Sequence, residues 1–312
     1  MALDLWVIIG IVLCVTQPVT IIANLLTIIA FVKIPSLQTH KSNLLIFALS
    51  IADFISGVDQ LICYGIPFQN TYNAGNYLLV AISIDRVLLV SMDYSKYIKM
   101  MTKFRLILAV GICFVIGQIP TVFDLSFWNY AKRNNVNAVG INFEEICLYP
   151  AISLKWYSIF SSLLAFFLPL FLVGIFSIIF LKRLIIRINN SRQIVPETQN
   201  NNIRSVGENL EAIPRPTEET SYDTTKKRYI KHAITLAALV SAMAISMLPH
   251  CINLFVESLT GSLNVDIRYI TWSILQLNPC LDPLFFAATQ KGIREYYGSK
   301  IRALSRALRV HN

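Results

Sequence analysis

Asp53, Arg86 and Asp282 stand inside or at the end of long apolar stretches, where a charge is hardest to keep. A charged side chain at the centre of a bilayer costs roughly 2.5–3.5 kcal/mol on insertion scales, so residues of this kind mark switching, ion or proton chemistry rather than packing. Asp53 lies about ten residues into its stretch, or ~15 Å at 1.5 Å per residue. A carboxyl at that depth needs polar partners or a proton. Asn278 and Asp282 stand four apart on one helical face and can supply partners, with Asn24 completing the set. Asp85-Arg86 is a second site, an adjacent acid and base after the apolar run Tyr77–Ile84 and before the loop Asp93–Tyr97. Pro169, Pro249 and Pro283 each remove a backbone hydrogen bond, which permits kinks beside these groups.

The elements that must carry them are seven apolar stretches: Leu5–Lys33, Asn43–Tyr64, Phe68–Met92, Phe104–Phe123, Trp156–Lys182, Ile230–Val256 and Arg268–Ala288. Each reaches the ~20 residues needed to cross ~30 Å of hydrocarbon. In lipid the backbone must satisfy itself, so the stretches are read as helices. The fold class is an all-α membrane protein, a seven-transmembrane helix bundle with an amphipathic C-terminal helix. Hydrophobic residues make up 55% of the chain and charged residues 14%, a balance that soluble domains of this length rarely show. The first stretch is expected to be a retained helix rather than a cleaved signal, because it is long and its start carries Asp4 and no Lys or Arg.

The net charge of +9 does not signal nucleic acid. Among the 27 Lys and Arg, Lys132, Arg133, Lys155 and Arg268 fall on one side, and all others lie near the opposite face. This positive-inside pattern places the N-terminus outside and the C-terminus in the cytoplasm. Residues 1–290 form the membrane domain, with a polar segment at 189–225 read as a disordered cytoplasmic loop. Residues 291–312 form a surface helix: Ile293, Tyr297, Ile301, Leu304 and Leu308 recur at helical spacing, with Arg294, Lys300, Arg302, Arg306 and Arg309 mostly between them. Such a helix suits the inner leaflet and its lipids. Cys14, Cys113, Cys251 and Cys280 lie within apolar stretches, while Cys63 and Cys147 fall at the outer face. No CxxC or His-rich metal spacing occurs, and neither does a GxGD or GxSG pair, so no enzyme is expected.

Taken in order, Asn24, Leu49-Ser50-Ile51-Ala52-Asp53, Ile84-Asp85-Arg86-Val87, Pro169, Pro249 and Leu277-Asn278-Pro279-Cys280-Leu281-Asp282-Pro283-Leu284-Phe285-Phe286 resemble the rhodopsin-like (class A) G-protein-coupled receptors. The resemblance runs over nearly the whole chain. It implies a receptor at the plasma membrane that binds an extracellular ligand and activates a heterotrimeric G protein as the inner end of the sixth helix moves outward. Asp85, Arg86, Pro249, Asp282, Pro283 and Phe286 would serve coupling. The cluster Asn24, Asp53, Asn278 and Asp282 would hold a sodium ion at Asp53 or remain a protonated structural core. Gly75 stands where the family often offers a serine oxygen.

The same resemblance excludes retinal, because Gln276 occupies the position of the Schiff-base lysine, and it argues against a monoamine, because Phe68 occupies that of the amine-binding aspartate. The matching ligand cavity is Phe68, Gln69, Tyr72, His250, Asn253, Trp272 and Gln276, which leaves peptide, lipid and odorant-like ligands open. The family's outer disulfide lacks its usual partner for Cys147, unless Cys63 serves. The interval from Asp53 to Arg86 is short, leaving almost nothing for an outer turn.

Several expected switch residues are replaced: Met243 and Met247 stand for aromatics, Ser177 and Phe286 for tyrosines, and Gly111 lies near a usual tryptophan. A non-signalling or decoy protein is therefore the competing reading, and a transporter a remote one. Shut-off through an arrestin is expected at Thr217–Thr225, rather than at the tail with only Ser299 and Ser305.

Overall fold

A computed structural model describes residues 2–39, 41, 43–62, 69–133, 159–160, 162–202, 240–257, 259–260 and 264–310. Cys63, Phe68, Cys147 and the Thr217–Thr225 segment lie outside these residues, as do the side chains of Gln69 and of residues 121–133.

The first helix, α1 (Ala2–Lys33), stops at Ile34 because Pro35 disfavours helical backbone in the residue before it. Pro35 then opens the short α2 (Pro35–Thr39), a position where its missing N–H costs nothing. The amide of Gln38 donates to the carbonyls of Phe31 and Val32 at 2.9 and 3.1 Å, satisfying acceptors that the end of α1 leaves free. Next come α3 (Asn43–Ile62), α4 (Gln69–Ser91), the short α5 (Tyr94–Met100) and α6 (Lys103–Arg133). A π-helical turn (Leu163–Phe167) leads into α7 (Leu168–Asn202), followed by α8 (Val240–Glu257), α9 (Val265–Leu275), α10 (Leu277–Thr289) and α11 (Lys291–Val310).

Three expected boundaries move. The fourth apolar stretch ends at Phe123, but α6 continues to Arg133, because residues 121–133 contain no glycine or proline to stop it. The fifth helix likewise runs to Asn202, through residues 189–202 expected in a loop; residues 189–195 contain no glycine or proline, and Pro196 is held within the helix. The seventh stretch is two helices rather than one. Pro279 has no N–H for the carbonyl four residues earlier and its ring crowds that carbonyl, so the helix breaks at Leu275–Gln276. Pro283, the expected kink, stays within α10.

Among the described residues, five helices are long and apolar enough to cross a membrane on length and composition. Their outer faces show large apolar side chains to the surroundings: Phe104, Ile245, Val115 and Phe171 are each about two-thirds exposed or more. In water such a surface would aggregate, whereas in lipid it is the solvent-facing side.

Inside, α4 packs against α3, α6 and α7, and α1 packs against α3 and α10. The core of α4 is Leu78, Leu79, Val80 and Ile82. Met243 and Met247 of α8 are fully buried, so flexible thioethers fill space for which aromatic rings were expected. Gly111 meets nothing within 4 Å on its Cβ side, so the missing tryptophan leaves an outward-facing gap rather than a core void.

The last helix is tied to the first. The Tyr297 hydroxyl donates to the carbonyl of Ala23 at 2.7 Å and lies 2.6 Å from the Thr27 hydroxyl, while Ile293 is fully buried beneath it. Tyr297→Phe is expected to lower stability by about 1–2 kcal/mol, the worth of one or two such bonds. Thermal melts of the purified chain check this. Burial pushes the Tyr297 phenol up, against a smaller pull downward from the Thr27 hydrogen bond. A phenol raised on folding contributes stability below its unfolded value of about 10 and loses it as pH rises beyond that. The Phe variant should therefore shed part of the alkaline destabilisation of the parent.

Candidate functional site

The polar residues expected mid-membrane come together. Asn24 is fully buried, and its amide donates to the carbonyls of Thr20 and Pro279, both at 3.0 Å, which joins α1 to α10. The Pro279 carbonyl thereby gains a donor beside the helix break. The Asp53 and Asp282 carboxyls, both buried, lie within electrostatic reach of each other between α3 and α10. Two carboxylates are both acceptors, so a buried pair calls for a shared proton or a cation. Asn278 is buried in the same segment. Gly75 of α4 faces the pair: a Cβ there would lie 3.5 Å from Asp53 Oδ1, an ordinary contact.

Three oxygens in this cluster, Asn24 Oδ1, Asp53 Oδ2 and Asp282 Oδ2, are buried without a partner. Oxygen donors with spare acceptor capacity are what a hard cation takes, so the residues present fit a sodium ion. Among the described residues no cluster of three or more His, Cys, Asp and Glu suits a transition metal.

The second site lies near the C-terminal end of α4. Arg86 Nε sits 3.9 Å from Asp85 Oδ2, with Asp85 buried and Arg86 mostly so. Sequence reasoning paired these two but missed the third member. The hydroxyl of Tyr97 on α5 donates to Asp85 Oδ1 at 2.7 Å and is itself buried. Asp85 is thus held from both sides. The only sign of Tyr97 in the sequence was a polar-tipped aromatic soon after Asp93, which many loops contain. Nearby, Arg187 of α7 donates to the carbonyls of Leu89 and Val90 at 3.3 and 3.1 Å, a cation at the negative end of α4.

At Pro169 the expected disruption is real and compensated. Proline cannot donate to the carbonyl of Ala165, and Asn76 of α4 supplies that bond at 3.0 Å. Tyr77 donates to the carbonyl of Leu164 at 2.6 Å. The π-helical turn is therefore anchored by two α4 side chains that no spacing rule singled out, because their partners lie across the bundle.

Of the expected ligand cavity, part converges. Tyr72, Phe166, His250 and Trp272 form a chain of rings with successive centroids 6.3, 5.8 and 5.3 Å apart. His250 Nδ1 lies 3.2 Å from the Thr271 hydroxyl. Gln276, at the break between α9 and α10, is buried with both amide atoms unpartnered, and the Tyr72 hydroxyl is unpartnered too. Asn253 turns aside: its amide donates to Glu257 at 2.8 Å, and Glu257 faces Arg268 at 3.8 Å. Phe166, Glu257 and Arg268 were missed, since an ordinary aromatic and two charges near helix ends carry no signal by themselves.

Two replaced switch residues are also placed. Phe286 is buried and has no hydroxyl, and the Ser177 hydroxyl donates to Val173 of its own helix at 2.7 Å. Pro249 of α8 lies beside His250, two residues after Met247, with Met243 one turn before Met247.

No curated protein matches the chain. Residues 63–286 match the profile of the 7 transmembrane receptor (rhodopsin family), which covers more than half of the sequence. With the apolar helices above, the protein is a multi-pass membrane receptor that belongs to the rhodopsin family of 7 transmembrane receptors.

Proposed function

We propose that the chain is a G-protein-coupled receptor that takes an extracellular ligand and activates a heterotrimeric G protein as the inner end of α8 moves outward. The observation that carries this reading is the Tyr97–Asp85–Arg86 cluster. A buried acid held by a phenol and a guanidinium is a restraint on Arg86, and a restraint matters where release does something. The seven-span arrangement follows if α3 and the α9–α10 pair also cross, beside the five helices above. The N-terminus then faces outward at the plasma membrane, and α11 lies on the inner leaflet with Ile301 and Leu308, both exposed, turned into lipid. The ligand would take the ring chain and the unpartnered Tyr72 and Gln276 groups, which suits an apolar body with one or two polar atoms. No step requires retinal or another cofactor. G-protein dissociation measured in cells expressing the chain, with and without candidate ligands, tests this; no coupling with any G-protein subtype despite surface delivery would refute it.

A decoy role has one observation in its favour: Ser177 and Phe286 cannot offer the two hydroxyls that would bridge through water when the helices rearrange.

In the resting arrangement Asp53 and Asp282 would hold sodium, with Asn24 and Asn278 around it. Wild type should gain thermal stability as sodium replaces a large organic cation at fixed ionic strength, and Asp53→Asn should not. Gly75→Ser fits without a clash and adds an oxygen beside Asp53, so the shift should grow by about 1 kcal/mol, or a few degrees. Identical melting curves for all three proteins across the titration would leave the cluster a protonated core.

A further inference from the structure

On the lipid-facing side, the inner ends of α1, α3 and α6 enclose a groove of about 360 Å³. Its walls are Phe31 and Val32 of α1, Phe47 of α3 and Ile107 of α6, with the Phe31 and Phe47 rings packed 5.6 Å apart at the back. Its mouth carries Lys41 and Lys103. Val32 and Ile107 are mostly exposed, so the groove opens towards the surroundings rather than into the bundle. Gln38 also lines it, but its amide is engaged by the carbonyls of Phe31 and Val32, which covers the negative end of α1. Among the described residues no acidic side chain lines the groove and neither lysine takes part in a salt bridge.

Two uncompensated ammonium groups above an apolar slot select an amphiphile with an anionic head and a hydrocarbon tail. We propose that the groove binds an acidic phospholipid of the inner leaflet, its phosphate between Lys41 and Lys103 and an acyl chain along Phe31, Phe47 and Ile107. The inner-leaflet source rests on the orientation proposed above, which puts both lysines at the headgroup level. A sterol would fill the slot but gives the two charges no partner. The lipid would join α1, α3 and α6 at the ends nearest the Asp85–Arg86 site and so link membrane composition to receptor stability.

Native mass spectrometry of the purified full chain in detergent tests this, with phosphatidylserine as probe and phosphatidylcholine of the same chains as control. Wild type should retain one phosphatidylserine in clear preference to phosphatidylcholine. Each basic residue beside an anionic headgroup is worth roughly fivefold, so the double variant Lys41→Gln, Lys103→Gln should lose about 30-fold of the phosphatidylserine adduct and keep the phosphatidylcholine adduct. The double arginine variant should retain the preference. Ile107→Trp, which fills the exposed slot without changing charge, should lower both adducts.

An unchanged phosphatidylserine preference in the glutamine variant overturns the proposal. So does cholesterol that displaces the lipid from wild type and glutamine variant alike. These readings need neither signalling nor a membrane orientation. Orientation is read separately, from Lys41→Cys in whole cells: labelling by an impermeant reagent from outside would overturn the inner-leaflet source while leaving the purified-chain result intact.

Discussion

Arg86→Ala should reduce G-protein activation to the level of cells lacking the receptor, while surface delivery and the melting temperature stay close to wild type. Arg86 is mostly buried, but it lies near the C-terminal end of α4 and its ion pair with Asp85, at 3.9 Å, is long. Removing it therefore costs little packing. What it removes is the cation that the opened inner face would present to a partner. The companion changes go the other way. Asp85→Asn deletes the counter-charge, and Tyr97→Phe deletes a 2.7 Å hydrogen bond to the same carboxyl. Hydrogen bonds to charged groups are worth about 1.5–3 kcal/mol, so the Phe variant should raise ligand-independent signalling roughly tenfold or more. A second-messenger assay with surface-matched expression measures all three. Wild-type signalling from Arg86→Ala would show that the cluster is a structural cap on α4 and that the coupling surface lies elsewhere.

Gly117→Ala should be the most damaging single methyl in the described helices. A Cβ at Gly117 would lie 2.6 Å from the backbone nitrogen of Ala74 and 2.8 Å from its Cα. Real Cβ atoms do not approach so closely, and the obstacle is main chain that cannot rotate away. Helices in membranes often use small residues to bring backbones together, and here the glycine permits the close crossing of α6 over α4. Overpacking of this kind costs about 1–3 kcal/mol, and the upper end applies because α6 and α4 must separate along their whole contact. The expected result is a melting temperature lower by several degrees and a marked loss of surface protein. Ala74→Gly should not rescue it, since the clash is with backbone rather than with the Ala74 methyl. By contrast, Gly111→Ala, with nothing within 4 Å, should be neutral. If Gly117→Ala and Gly111→Ala melt together, the crossing is looser than described.

These predictions show which parts of the site could be read in advance. Asn24, Asp53 and Asp282 were legible because a polar group in an apolar run has few innocent explanations, and their meeting follows from the need of each for a partner. Asp85 and Arg86 were legible for the same reason. Tyr97, Asn76, Tyr77, Phe166, Glu257 and Arg268 were not, because each acts on a residue of another helix. The break at Gln276 rather than at Pro283 was also hidden. Both Pro279 and Pro283 remove a bond, and which of them interrupts the helix depends on what surrounds the freed carbonyls.

By itself the sequence determined that this is a helical membrane protein, which residues carry charge into the bilayer, and which family they mark. Those conclusions rest on hydropathy, on helical spacing and on the cost of burying charge, all of which are local. The tertiary structure decided the rest: that Asn76 satisfies the carbonyl Pro169 abandons, that Tyr97 shares Asp85 with Arg86, that Gly117 lets two backbones cross, and that two lysines from separate segments share one groove. Each is a contact between residues distant in the chain, and its existence depends on how helices pack rather than on how any one of them forms.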